Sequence, residues 1–83
     1  MIVGVYAIRD AQTEAFSQPM FFVTRGVAIR SFSEECENQT SALSKHPQDY
    51  ALFQIGTYDD NAGSLVSLPQ PQQIALALDF KKV

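Results

Sequence analysis

Apolar residues fill both sides of the opening segment if it is extended: Val3, Val5 and Ala7 fall on one side and Ile2, Tyr6 and Ile8 on the other. This predicts a strand over 2–9 that is central, or whose second face is covered. Residues 10–17 are polar and predict a turn or a wide hairpin loop. Pro19 fixes the entry to a short apolar run, Met20-Phe21-Phe22-Val23, and proline is tolerated at the first residue of a strand. Thr24 then offers a helix N-cap, and behind it Ala28, Phe32 and Cys36 recur at a spacing of four, flanked by Val27 and Ile29. A helix is predicted over 25–38. Gly26 weakens its first turn by up to about 1 kcal/mol. Its charges run against the macrodipole, with Arg25 and Arg30 toward the N-terminus and Glu34, Glu35 and Glu37 toward the C-terminus. Either packing overrides that small cost, or the charged ends dock something.

Residues 40–46 allow one more helical turn, which Pro47 ends by forcing His46 out of the helical region. The best strand follows at 50–58. Strict alternation places Ala51, Phe53, Ile55 and Thr57 on one face and Tyr50, Leu52, Gln54 and Tyr58 on the other. Asp59-Asp60-Asn61-Ala62-Gly63 is turn chemistry, with Asn61 and Gly63 both able to take positive φ. Ser64–Leu68 is the return strand, and Pro69 and Pro71 are expected to break it. The tail Gln72–Lys82 reads as a short amphipathic helix carrying Ile74, Leu78 and Phe80 inward, or as another extended segment; the helix is favoured. The order β-β-α-β-β defines an α+β, two-layer sandwich: a mostly antiparallel sheet with one main helix on one face and a short C-terminal helix as an option. One helix covers one face. The other is expected to show several of Ile2, Tyr6, Ile8, Tyr50, Leu52 and Tyr58, an apolar and tyrosine-rich patch that a monomer does not usually leave in water.

Composition narrows the picture. The chain's 83 residues are too few for two ordinary domains, so residues 1–83 are read as one. With 46% hydrophobic and 18% charged residues, it is too apolar to be disordered. A single cysteine excludes an internal disulfide and fits a reducing cytoplasm. Six basic against nine acidic residues give a net charge of −3, which weighs against nucleic-acid binding by charge alone. No apolar run approaches the 18 or so residues of a membrane span, and the opening segment lacks the features of a signal peptide.

The residues for catalysis are scarce. His46 is the only histidine and precedes a proline in a loop, while Cys36 lies on the inward stripe of the helix, where a thiol is buried and inert. One Cys and one His fall short of a zinc site. Asp59 and Asp60 with Asn61 resemble the start of a calcium loop without its later glutamate, so a solvated turn is expected. There is no glycine-rich phosphate loop. The chain is read as a non-enzyme that binds no cofactor, metal or small-molecule substrate.

Two readings remain for the open face. Tyr6, Tyr50 and Tyr58 could stack the bases of single-stranded DNA, with Arg9, Arg25 and Arg30 on its phosphates. Alternatively the face joins two copies of the chain, or holds a protein partner. The position of the basic residues discriminates: arginines around the face favour nucleic acid, acids favour protein.

Against this background the chain resembles the small non-structural protein, the fifth open reading frame product, of gokushovirus-type microviruses, which are single-stranded DNA bacteriophages. The resemblance rests on Tyr6-Ala7-Ile8-Arg9-Asp10, Pro19-Met20-Phe21-Phe22, Arg30-Ser31-Phe32 and above all the run His46-Pro47-Gln48-Asp49-Tyr50-Ala51-Leu52-Phe53-Gln54-Ile55-Gly56-Thr57-Tyr58-Asp59-Asp60, with Gly63 and Asp79-Phe80-Lys81 beyond it. It implies a protein made in the cytoplasm of the infected bacterium and absent from the virion. It also implies a role in viral DNA synthesis, by binding DNA or the replication-initiation protein, including a switch toward single-strand synthesis and packaging. The expected form is a dimer through the open sheet face. The alternative is an interaction module acting on a host factor with no nucleic-acid role. The resemblance carries no site residues with it.

Overall fold

The computed structural model describes residues 1–80. Strand β1 (Ile2–Asp10) turns through residues 11–14 into β2 (Ala15–Phe16), and a break at 17–19 leads to β3 (Met20–Phe22). Helix α1 (Arg25–Glu37) and the single turn α2 (Ala42–Lys45) follow. A 3-10 turn, Pro47–Asp49, feeds β4 (Tyr50–Asp59), which pairs with β5 (Ser64–Leu76), and a second 3-10 turn spans Ala77–Phe80. All pairings are antiparallel. β1 lies between β4 on one side and the β2 and β3 segments on the other, and β5 is the far edge. The expected α+β sandwich is what the chain forms.

Local chemistry explains most of the elements. The Thr24 hydroxyl accepts from the Val27 amide at 3.2 Å and caps α1, and the buried residues of that helix are Ala28, Phe32 and Cys36. Ser41 caps α2 in the same way, accepting from Leu43 at 3.2 Å. In the first hairpin Glu14 takes a left-handed φ of 58°, while the Asp10 carboxylate accepts from the Gln12 amide. In the second, Gly63 has φ 65° and donates to the Asp59 carbonyl; Asn61 stays at negative φ, its amide bound to the Asp59 carboxylate. Ser17 bridges the break between β2 and β3, as its amide donates to the Ile8 carbonyl and its hydroxyl accepts from the Ile8 amide.

Two expectations are corrected here. Pro69 and Pro71 do not end the return strand. β5 is an edge with one partner, and Leu68–Pro71 lie in a bulge opposite Ile55, between the pairs Gln54–Gln72 and Gly56–Ser67. The missing proline donors therefore cost the ladder nothing. The tail is accordingly extended through Leu76, and only Ala77–Phe80 turns helically, burying Ala77 and setting Phe80 edge-on to Phe32. Lys81 and Lys82, the end of the expected tail helix, lie outside the described residues.

The core sits between α1 and one face of the sheet: Tyr6, Ala28, Phe32, Cys36, Leu43, Leu52 and Ala77 are all buried there. The helix therefore covers the side of β1 carrying Tyr6 and Ile8, the opposite of the side expected to be covered. The larger side chains of β1 lie on that side, so covering it removes more apolar surface from water. Gly4 makes the arrangement fit, because the Tyr6 ring occupies the space where a β-carbon at position 4 would stand.

Candidate functional site

The sheet face turned away from α1 is built from the odd positions of β1. Val5 and Ala7 form its floor, at 5% and 0% exposure. Across the ladders Val3 pairs with Tyr58, Ala7 with Phe53, Val5 with Phe21 and Arg9 with Phe16, so these side chains share one face. Two edge-to-face pairs result. Phe16 meets Phe53 with ring centres 5.4 Å apart, and Phe21 meets Tyr58 at 5.6 Å. Leu65 and Leu76 of β5 extend the face, opposite Tyr58 and Ala51 respectively. Phe16, Phe21, Leu65 and Leu76 are exposed.

A bulge in β4 decides which residues reach this face. Val5 pairs with Gly56 but Tyr6 pairs with Gln54, so Ile55 is an extra residue that reverses the alternation. Before it, Tyr50, Leu52 and Gln54 turn toward the helix; after it, Gly56 and Tyr58 turn away. The Gln54 side-chain amide spans the bulge, donating to the Gly56 carbonyl at 3.2 Å.

The structure therefore separates the six residues singled out from the sequence. Tyr6 is 2% exposed in the core and is unavailable for stacking. Tyr50 is on the helix side, partly buried opposite Asp10, and its hydroxyl pKa is raised above the ordinary value by lost solvation and by the Asp10 and Asp49 carboxylates. Tyr58 alone of the three lies on the open face. Arg25 is tied down on the helix side, its Nη2 donating to Gln54 Oε1 at 2.8 Å and Gln72 Oε1 at 3.1 Å. Arg30 is exposed on α1. Arg9 alone of the arginines belongs to the open face, and among the described residues it is the one basic residue on any strand. The expected tyrosine face is in fact a phenylalanine face with one tyrosine. Phe16, Phe21 and Phe53 were missed because Phe16 stands in a polar loop and Phe53 alternates with the tyrosines. The apolar Ala15-Phe16 pair within that polar stretch is the sequence signal for Phe16.

Other chemistry is sparse. Cys36 is buried, and burial pushes its thiol up to about 11, with Glu35 and Glu37 adding to the shift. Among the described residues no three His, Cys, Asp or Glu side chains come together as a metal site, and no helix is long and apolar enough to cross a membrane.

The fold and this face define a small α+β protein that presents an aromatic sheet surface to solvent. The chain belongs to the phage ORF5 protein family, whose model matches residues 3–80. It is thus a bacteriophage protein, which bears out the resemblance drawn from its motifs, and a gokushovirus origin is consistent with it. No curated protein and no solved structure matches the chain.

Proposed function

We propose that this phage protein is a non-enzymatic accessory of viral DNA replication in the host cytoplasm, absent from the virion. In this reading it holds single-stranded DNA on its open sheet face and favours single-strand synthesis and packaging. The observation that carries the reading is the aromatic surface itself: Phe16, Phe53, Phe21 and Tyr58 in two ring pairs on an antiparallel sheet, with Arg9 beside Phe16. Each base stacked on such a ring contributes about 1–3 kcal/mol, whatever the sequence. With a net charge of −3 and one strand-borne arginine, stacking must outweigh charge. Fluorescence anisotropy of a labelled oligonucleotide at about 50 and 200 mM salt tests this. Saturable binding with a slope of about one phosphate contact is expected, because one arginine neutralises one phosphate. A steep slope, or no binding at tens of micromolar protein, overturns the stacking mechanism.

A second reading has its own support. Arg25 is engaged by glutamines and Arg30 lies on the helix, so the open face is more apolar than a DNA surface usually is. The face would then join two copies of the chain, or bind the replication-initiation protein or a host factor. Sedimentation of the wild type against Phe21→Ser separates these cases. A wild-type dimer dissociated by the substitution identifies self-association, and a monomer throughout excludes it.

A further inference from the structure

On the helix side of the sheet a cavity of about 310 Å³ opens between α1 and β3. Ile8, Phe22, Phe32 and Leu52 line its apolar interior, and Ser31 and Glu35, one helical turn apart, supply its polar lining. Its walls include core residues, with Leu52 at 1% and Phe32 at 3% exposure. Protein interiors ordinarily close such space. Here the small side chain of Ala28 is part of the wall, and an apolar void of about 150 Å³ already admits a benzene ring.

The charges around the cavity name its occupant. The last turns of α1 carry Glu34, Glu35 and Glu37, with no basic residue in the last turn, against the preference of the helix dipole. The opposite wall, residues 17–23, carries no charge. Arg30 stands one turn before Glu34, on the stripe beside Ser31 and Glu35. The lining is therefore apolar within and acidic at one side. We propose that this cavity receives one bulky apolar side chain from a basic peptide segment of a partner protein, whose cations lie beside Glu35, on the cavity wall, and its neighbour Glu34. The site is on the face opposite the aromatic sheet surface and stands independently of the DNA reading.

The test is a methyl- and amide-detected NMR titration with a blocked peptide holding one phenylalanine between two lysine pairs. Control peptides replace its lysines by glutamates or its phenylalanine by serine. The lysine peptide is expected to saturate below about 1 mM and to shift Ile8, Met20 and Leu52, while neither control saturates. Glu35→Lys should weaken it at least about tenfold, the size of a charge reversal beside a bound cation, without lowering thermal stability, because a cation suits a helix C-terminus. Glu35→Gln should weaken it less, and Phe21→Ser on the other face should leave it unchanged. Equal binding of the glutamate peptide, shifts confined to Phe53 and Tyr58, or no saturable shift up to about 10 mM would each overturn the assignment.

Discussion

On the helix side of the sheet, Tyr6 and Leu52 keep 2% and 1% of their surface; on the other side Phe21 and Leu65 keep 50% and 66%. These side chains are comparable in size and apolar character, and they sit on neighbouring strands of one sheet. What separates them is cover. Helix α1 and the Ala77–Phe80 turn lie over the first pair, and among the described residues no element lies over the second. Burying a large apolar side chain contributes about 1.5–3 kcal/mol, so the first face stabilises the fold while the second leaves much of that free energy available to a ligand. Sheet composition alone does not reveal whether a face is core or contact surface.

Substitutions can break this contrast, beginning with the largest effect. Tyr6→Ala removes a ring that packs over Gly4 and among the core residues, and it should cost about 3–5 kcal/mol, a large part of the stability of a domain this size. Urea unfolding followed by circular dichroism measures it. A loss under about 1 kcal/mol would mean that Tyr6 belongs to a contact surface after all.

Gly56→Ala tests the floor of the open face. A β-carbon there would stand 2.5 Å from the backbone carbonyl oxygen of Val66, which no rotamer can relieve. The two strands must part, at a cost of about 1–3 kcal/mol. In a chain of this length each kcal/mol lowers Tm by about 4–8 °C in a thermal melt.

Phe21→Ser sharpens the comparison in the other direction. Phe21 is half exposed, so its loss should change stability by about 1 kcal/mol or less, chiefly through the Tyr58 ring contact. The same substitution should weaken oligonucleotide binding about 5- to 150-fold, the factor equivalent to one stacked base. A variant that loses stability as Tyr6→Ala does, but no affinity, would reverse the roles of the two faces.

The smallest effect expected is alkaline. The Cys36 thiol titrates at 9.0 when unfolded and at about 11 when buried, so folding favours its neutral form. Its contribution is fully present below pH 9 and fades as pH rises from about 9 to about 11, because the unfolded chain then gains a thiolate that the folded one resists. The raised hydroxyl pKa of Tyr50 acts in the same direction. Melts of the wild type and Cys36→Ala between pH 8 and 10 should diverge, with the wild type falling faster.

The sequence announces α1 through local signals alone, since Thr24 and the Ala28-Phe32-Cys36 stripe need no knowledge of the rest of the chain. Gly63 and the 50–58 run announce the second hairpin in the same way. The bulge at Ile55 leaves no such mark. It is a property of pairing with β1, and once it is present the alternation beyond it runs in the opposite sense. Strict alternation therefore groups Tyr50 with Tyr58 by a parity that β4 does not keep, and the aromatic residues of the open face are Phe16, Phe21, Phe53 and Tyr58 instead. Pro69 and Pro71 suggest an early strand end for a related reason. Proline breaks a strand that must donate on both sides, and whether β5 has one neighbour or two is settled only by the tertiary arrangement. Arg9 lies on the face with the aromatic residues, whereas Arg25 and Arg30 do not, because their helix packs on the other side.

The same two prolines have a consequence for the chain in a crowded cell. β5 is the longest strand and lies at the rim of the sheet, with its own Leu65 and Val66 exposed. Such a rim invites a passing extended chain to add itself, and then another. Pro69 and Pro71 withdraw two amide donors from the middle of that rim, and the bulge around them bends it, so a newcomer finds only short stretches on either side to zip against. The kink that looks like a flaw in the strand shortens the edge open to such addition.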